Sequence, residues 1–194
     1  ALSLKGGEYE SVSVNRKVST LIPEGFAAEI NGEVVNPDET SVSDGNGNNV
    51  LSDFKIVDHQ HDYDPSNGKC ACGDKAAIKV TLQNGLVMSF HKTMSEALEA
   101  MRENATMTLF EDCVFTGTKE IRMRHTFDLN GNTLTIGDGS TESSITLMIK
   151  TASLSFRDSV GGGKLVTADK SAIAADKIPP DRKISFLFQK SFVF

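Results

Sequence analysis

The chain has no tryptophan, only Tyr9 and Tyr63 as tyrosines, and three cysteines in 194 residues, and each scarcity narrows what it can do. Without Trp, an aromatic platform for stacking sugar rings would have to come from Phe or from a single Tyr. Three thiols cannot make a disulfide framework, since one is always left over, so metal binding or plain thiols are expected instead. No apolar run approaches the roughly 20 residues that a bilayer demands, so no membrane span is expected. The segment 1–7 lacks the charged and apolar regions of a signal peptide, which suggests a mature chain or a piece of a longer one. Positive charge is also short: 20 Lys and Arg stand against 26 Asp and Glu, for a net charge of −6. No polybasic run is present to neutralise phosphates, which argues against nucleic acid as a partner.

What remains is a chain that is 39% apolar, enough to bury a core. Most of it reads as short strands of Val, Ile, Thr, Phe and Leu, broken by Gly, Asn, Asp and Ser, so the fold class is mainly β. Ala77 to Leu82 and Leu86 to Phe90 flank Asn84-Gly85 and predict a hairpin. One stretch is helical: Thr93 and Glu96 have capping-box spacing, and Met94, Ala97, Leu98 and Met101 share a face.

After that helix, apolar strand centres fall at Leu109, Leu129, Leu147, Leu165 and Ile184, with steps of 20, 18, 18 and 19 residues. A second series runs Phe115, Leu134, Leu154, Ile173 and Phe192, with steps of 19, 20, 19 and 19. Two interleaved series at one period predict stacked turns. The expected architecture is a right-handed parallel β-helix (a β-solenoid) with one capping helix at 91–194, preceded by a small β region with a His/Cys loop at 1–90. The alternative is an antiparallel β-sandwich, whose strands every 8–12 residues could imitate the pattern. Ile184 to Phe188 and Phe192 to Phe194 run apolar to the last residue, which predicts self-association through Phe188, Phe192 and Phe194.

The strongest chemical signal is His59-x-His61 followed by Cys70-x-Cys72, in a loop with Pro65, Asn67 and Gly68. Thiolate and imidazole suit Zn²⁺ in a closed tetrahedral Cys₂His₂ site, which would give a loop poor in apolar residues a reason to fold. Alternate strand residues point to opposite faces, so Cys-x-Cys can converge only if the chain turns at Ala71. Asp62 and Asp64 could substitute as oxygen ligands if one His points away. A structural zinc ion held by His59, His61, Cys70 and Cys72 is one reading of this set; the other is exposed imidazoles with thiols that are free or joined in a strained bridge.

Other chemistry is thinner. Asp138 and Asp158, with Asp112 and Asp128 nearby in the pattern, could form a carboxylate pair for glycosidic chemistry. Asp is also favoured in turns for its bonds to nearby backbone, and that reading is preferred here. Cys113 reads as a small core residue, His125 as an outward strand residue, and His91 as structural. Gly161-Gly162-Gly163-Lys164 lacks the features of a phosphate loop, and no Gly-x-Ser-x-Gly elbow occurs. No catalytic residue is assigned.

Several segments carry a resemblance: Leu2 to Val14 (with Gly6-Gly7 and Tyr9), Glu24-Gly25-Phe26-Ala27 followed by Asn31 to Val35, His59 to Tyr63 with Gly68 to Gly73, Asp128 to Thr135, and Leu154 to Ser159. In this order they resemble repeat modules of large cell-surface and secreted proteins of Gram-positive gut bacteria and streptococci, with pectate-lyase-like coils. The resemblance implies an extracellular or cell-surface, non-catalytic module for adhesion, ligand binding or spacing, with a glycan or a host protein as partner. A polysaccharide-active enzyme is the alternative.

Overall fold

A computed structural model of the chain describes residues 3–148 and 152–175. The chain divides into two compact units, Ala1–Lys75 and Ala76–Phe194. Residues 76–90, grouped by sequence with the preceding β region, pair within the second unit.

In the first unit, strands β1 (Gly7–Val14), β2 (Phe26–Ile30), β3 (Glu33–Val35), β4 (Val42–Ser43) and β5 (Asn49–Asp58) form one antiparallel sheet, accompanied by a 3-10 turn (Val18–Leu21) and a short helix α1 (Pro37–Thr40). The long β5 is the hub, pairing with β1, β2 and β4. β2 and β3 join through Asn31-Gly32, both at positive φ (54° and 85°), as a two-residue hairpin requires. Leu51, Phe54 and Ile56 of β5 pack with Leu4, Val12, Val18, Leu21 and Ala28. The alternation along β5 shifts phase at Asp53, whose φ of 51° leaves Ser52 and Asp53 both exposed.

The second unit begins with the expected hairpin, β6 (Ile78–Thr81) and β7 (Val87–His91), turning at Asn84-Gly85. Helix α2 (Met94–Ala100) follows, and its capping box is complete: Thr93 Oγ1 accepts from Glu96 N, and Glu96 Oε2 accepts from Thr93 N. Met94, Ala97 and Leu98 are buried, and the helix packs on β6, β7 and the strand Cys113–Phe115. The remaining strands are β8 (Ala105–Leu109), β9 (Cys113–Phe115), β10 (Thr118–Ile121), β11 (Arg124–Asp128), β12 (Thr133–Ile136), β13 (Ser143–Leu147), β14 (Ser153–Arg157), β15 (Lys164–Thr167) and β16 (Ser171–Ala175).

The expectation of a right-handed parallel β-helix is corrected here. The strands divide among several small sheets: one mixed, in the order β14-β11-β8-β6-β7, and two parallel, β10-β13-β16 and β15-β12-β9. Among the described residues there is no closed or solenoid sheet, and these several small sheets are more like a β-sandwich than a single parallel β-helix. Nor does the sequence period survive. Paired residues are 20 and then 29 apart across β8, β11 and β14, 21 and then 31 apart across β9, β12 and β15, and 26 and then 28 apart across β10, β13 and β16. Leu109 lies in β8, Leu147 in β13 and Leu165 in β15, three different sheets. The physical reason is that evenly spaced apolar residues record only the alternation of short strands and corners, whereas backbone hydrogen bonding decides which strands pair.

The sheets of the second unit nonetheless share one interior, built from Ile78, Val80, Met107, Leu109, Ile121, Phe127, Leu129, Leu134, Ile136, Ile145, Leu154 and Phe156 with the buried face of α2. Phe127 and Phe156 meet edge to face, with centroids 5.4 Å apart. Phe188, Phe192 and Phe194, on which self-association was expected to depend, lie outside the described residues, as does Ile184. Among the described residues no helix is long and apolar enough to cross a membrane.

Candidate metal centre

β5 ends at Asp58, and the backbone N–H of His59 donates to Gly25 O at 2.8 Å, anchoring the start of the loop. The chain runs on without helix or strand, and the rings of His59, His61 and Tyr63 follow one another along it, with centroids 5.1 and 5.2 Å apart. This is the period of two expected of extended backbone. The loop then reverses through Asp64, whose N–H donates to Lys69 O and whose carboxylate accepts from Ser66 and Asn67. The returning segment carries the cysteines into a tight turn, with Gly73 N donating to Cys70 O at 2.9 Å and Cys70 N donating to Asp74 O at 2.8 Å. The bend expected at Ala71 is therefore present. Gly73 closes it at φ 88°, where a Cβ would also run into the Asn36 side chain.

All four residues singled out in the sequence converge. The ligand atoms of His59, His61, Cys70 and Cys72 lie within 4.8 Å of one another, so the cluster could hold a metal ion. His59 Nε2 is 3.1 Å from Cys70 Sγ, and Cys72 Sγ is 3.4 Å from His61 Nδ1. Cys70 is buried and the other three are half-buried. Burial pushes the Cys72 thiol up to about 11, with the neighbouring Cys70 thiol adding to the rise. Burial, and then the adjacent His61, hold His59 below the usual histidine range. Desolvation thus keeps both groups neutral, and a bound cation reverses that balance by favouring thiolates. The substitute ligands do not join: Asp62 is exposed, and Asp64 is committed to its own turn.

Two residues beside the cluster were not anticipated. Asp74 Oδ2 lies 3.4 Å from His61 Nε2 and accepts the Tyr63 hydroxyl at 2.5 Å. The signal available in the sequence was position alone, since Asp74 follows the Cys-x-Cys-Gly turn directly.

The acidic residues of the second unit serve as corner braces. Asp158, 6% exposed, accepts from Gly131 N at 2.8 Å and Gly163 N at 2.7 Å. Asp128 accepts from Asn130 N and Ser159 N and pairs with Arg157 Nε at 2.9 Å. Asp112 accepts from Thr133 N, and Asp138 from Ser140 and Thr141. Gly163 has to be glycine, because a Cβ there would sit 2.7 Å from Leu129 Cβ. Cys113 is buried in the core, and half-buried His91 bonds Ser89 through Nε2 at 2.7 Å. His125, read as an outward strand residue, is instead only 7% exposed. It shares a face of β11 with Phe127, a signal the alternation did contain.

A groove of about 440 Å³ crosses β1 and β5, lined by Glu8, Tyr9, Glu10, Asp53, Phe54 and Lys55. Tyr9 stacks on Phe54 with centroids 5.2 Å apart, and Glu8 pairs with Lys55 at 2.9 Å. No family model matches the chain, and no curated protein or solved structure matches it either.

Proposed function

We propose that the chain is a non-catalytic, extracellular module of a repetitive surface or secreted protein, working in binding or spacing, and that its first unit is stapled by a structural zinc ion. The observation that carries the zinc reading is the convergence of two imidazoles and two thiols within 4.8 Å. Two nitrogen and two sulfur donors suit zinc rather than the hard ions Mg²⁺ and Ca²⁺. Four protein donors also close the coordination sphere, whereas a catalytic zinc keeps a position open for water or substrate. The segment 59–75 has a single isolated bridge, between Lys69 and Lys75, and a metal would supply the cohesion that its few apolar residues do not.

The non-catalytic reading is favoured by the use to which the carboxylates are put. A glycosidase needs two carboxyl groups facing each other across a cleft, one to donate a proton and one to act as base or nucleophile. Asp112, Asp128, Asp138 and Asp158 instead accept hydrogen bonds from the backbone of corners. The placement outside the cell, in a surface protein of the Gram-positive type, rests on the resemblance of the ordered motifs. A glycan or host protein remains the expected partner, and the groove over Tyr9, with Glu10 and Asp53 as acceptors for hydroxyl groups, is where a saccharide would be held.

Elemental analysis of the purified chain should give one zinc per molecule, lost when Cys70 and Cys72 are both changed to Ser; a natively folded chain without metal overturns the zinc reading. A glycan array run beside an assay for released sugars separates recognition from turnover. Binding without release supports the module, and sugar release overturns it.

A further inference from the structure

The two imidazoles of the cluster do not offer the same nitrogen. His59 directs Nε2 to its sulfur neighbour, whereas His61 directs Nδ1 to Cys72 Sγ. The Nε2 of His61 is turned instead to the carboxylate of Asp74, at 3.4 Å. That carboxylate is held in turn from two directions. The Tyr63 hydroxyl donates to the same oxygen, and the Tyr63 ring stacks on His61 at an interplanar angle of 30°. Through its own main-chain carbonyl, Asp74 also accepts from Cys70 N, so its backbone is fixed to the turn that presents the thiols.

An imidazole binds a metal through the nitrogen that carries no proton, and the proton sits on the other nitrogen, where an acceptor stabilises it. A carboxylate in that place fixes the ring's tautomer and orientation and makes the ligating nitrogen more basic. Resting on the reading of the cluster as a metal centre, the geometry points to Asp74 as the positioning residue that commits His61 to ligation through Nδ1, with Tyr63 as the strut that aims Asp74. Asp74 stays outside the ligand set. The centre is thereby asymmetric: His59 ligates through Nε2, whereas His61 ligates through Nδ1 with an anionic acceptor behind it. That anion also adds negative charge next to a dication, which favours retention of the metal.

The test uses the full chain loaded with zinc. Long-range ¹⁵N–¹H NMR on the unsubstituted protein should show His61 metal-bound at Nδ1 and protonated at Nε2, with His59 the reverse. Competition with a chromophoric chelator should show zinc affinity falling by about 10- to 100-fold in Asp74→Asn, by less in Tyr63→Phe, and not at all in Asp62→Asn, whose side chain is exposed. Asp74→Asn and Tyr63→Phe should also exchange the His61 Nε2 proton faster, which a purely structural role would not cause. His61 ligating through Nε2, or unchanged affinity in Asp74→Asn, overturns the assignment. If Asp74→Asn fails to fold, Tyr63→Phe decides, since unchanged affinity and unchanged proton exchange there overturn it equally. An unsubstituted chain that takes up no zinc overturns the metal reading itself, a result distinguishable from failure of the Asp74 assignment alone.

Discussion

Replacing Asp158 by Asn exchanges one oxygen acceptor for an amide NH₂ while keeping the side chain's shape, and the structure allows its cost to be worked out. The carboxylate is 6% exposed, with Oδ1 receiving Gly131 N and Oδ2 receiving Gly163 N. Asn can serve one of these donors and sets its own N–H groups against the other. Losing one charge-assisted bond to a backbone donor costs about 1.5–3 kcal/mol, and Gly163 has little room to shift, since it packs against Leu129. A loss of about 2–3 kcal/mol lowers the melting temperature of a unit this size by roughly 8–12 °C. Circular dichroism melts at pH 7 read this directly. Burial alone would raise the Asp158 pKa, but backbone N–H groups, Gly163 first and Gly131 next, hold it below the usual carboxylate range. The bound state therefore prefers the ionised form, and the stabilisation is present above the unfolded value of about 3.9 and is lost as pH falls through the lowered native value. The gap between the two proteins should narrow in acid. The outcome also bears on function, because neutralising a catalytic acid ordinarily costs activity rather than stability. A melting temperature unchanged within about 2 °C would refute the structural reading of Asp158 and reopen it as a functional group.

Two further outcomes are expected. Thr93→Ala removes the oxygen that receives Glu96 N at the start of α2 and should cost about 1 kcal/mol in urea unfolding, with Thr93→Ser restoring most of it. His125→Leu replaces a buried ring whose Nδ1 has no hydrogen-bond partner among the described residues. Burial, then the charge of Lys119, lowers the His125 pKa, with Arg102 main chain opposing. The native state thus disfavours the protonated ring, so wild-type stability should fall as pH drops below about 6.5. The Leu variant should lack that part of the decline, as denaturant midpoints between pH 7 and pH 5 would show.

How much of this was legible in the sequence depended on whether the determinant was local. Asn84-Gly85 specifies its turn by backbone preference alone, and Thr93 and Glu96 specify a helix start three residues apart, so the hairpin and the helix could be read directly. The His/Cys set was equally legible, because ligand chemistry restricts residue type. Strand pairing was not. Leu129 and Leu147 look equivalent by spacing, yet one follows β11 of the mixed sheet and the other ends β13 of a parallel sheet. Their backbone partners lie 26 to 28 positions away, which a local pattern does not encode. Asp74 was invisible for a related reason, since its meaning lies in the ring it faces and not in its neighbours.

The unequal intervals between paired strands have a practical corollary. A fold held by a strict repeat would be thrown out of register by any added residue, but here corners of several lengths already coexist within one packed interior. Between β12 and β13 the exposed segment Ser140 to Glu142 is bounded by buried Gly137 and Ser143, so the packed positions lie on either side of the segment that joins the two strands. Foreign peptides grafted at that crest would be displayed on the surface while the pairing beneath stays as it is, which makes the second unit a scaffold whose outer contour can be rewritten without renegotiating its core.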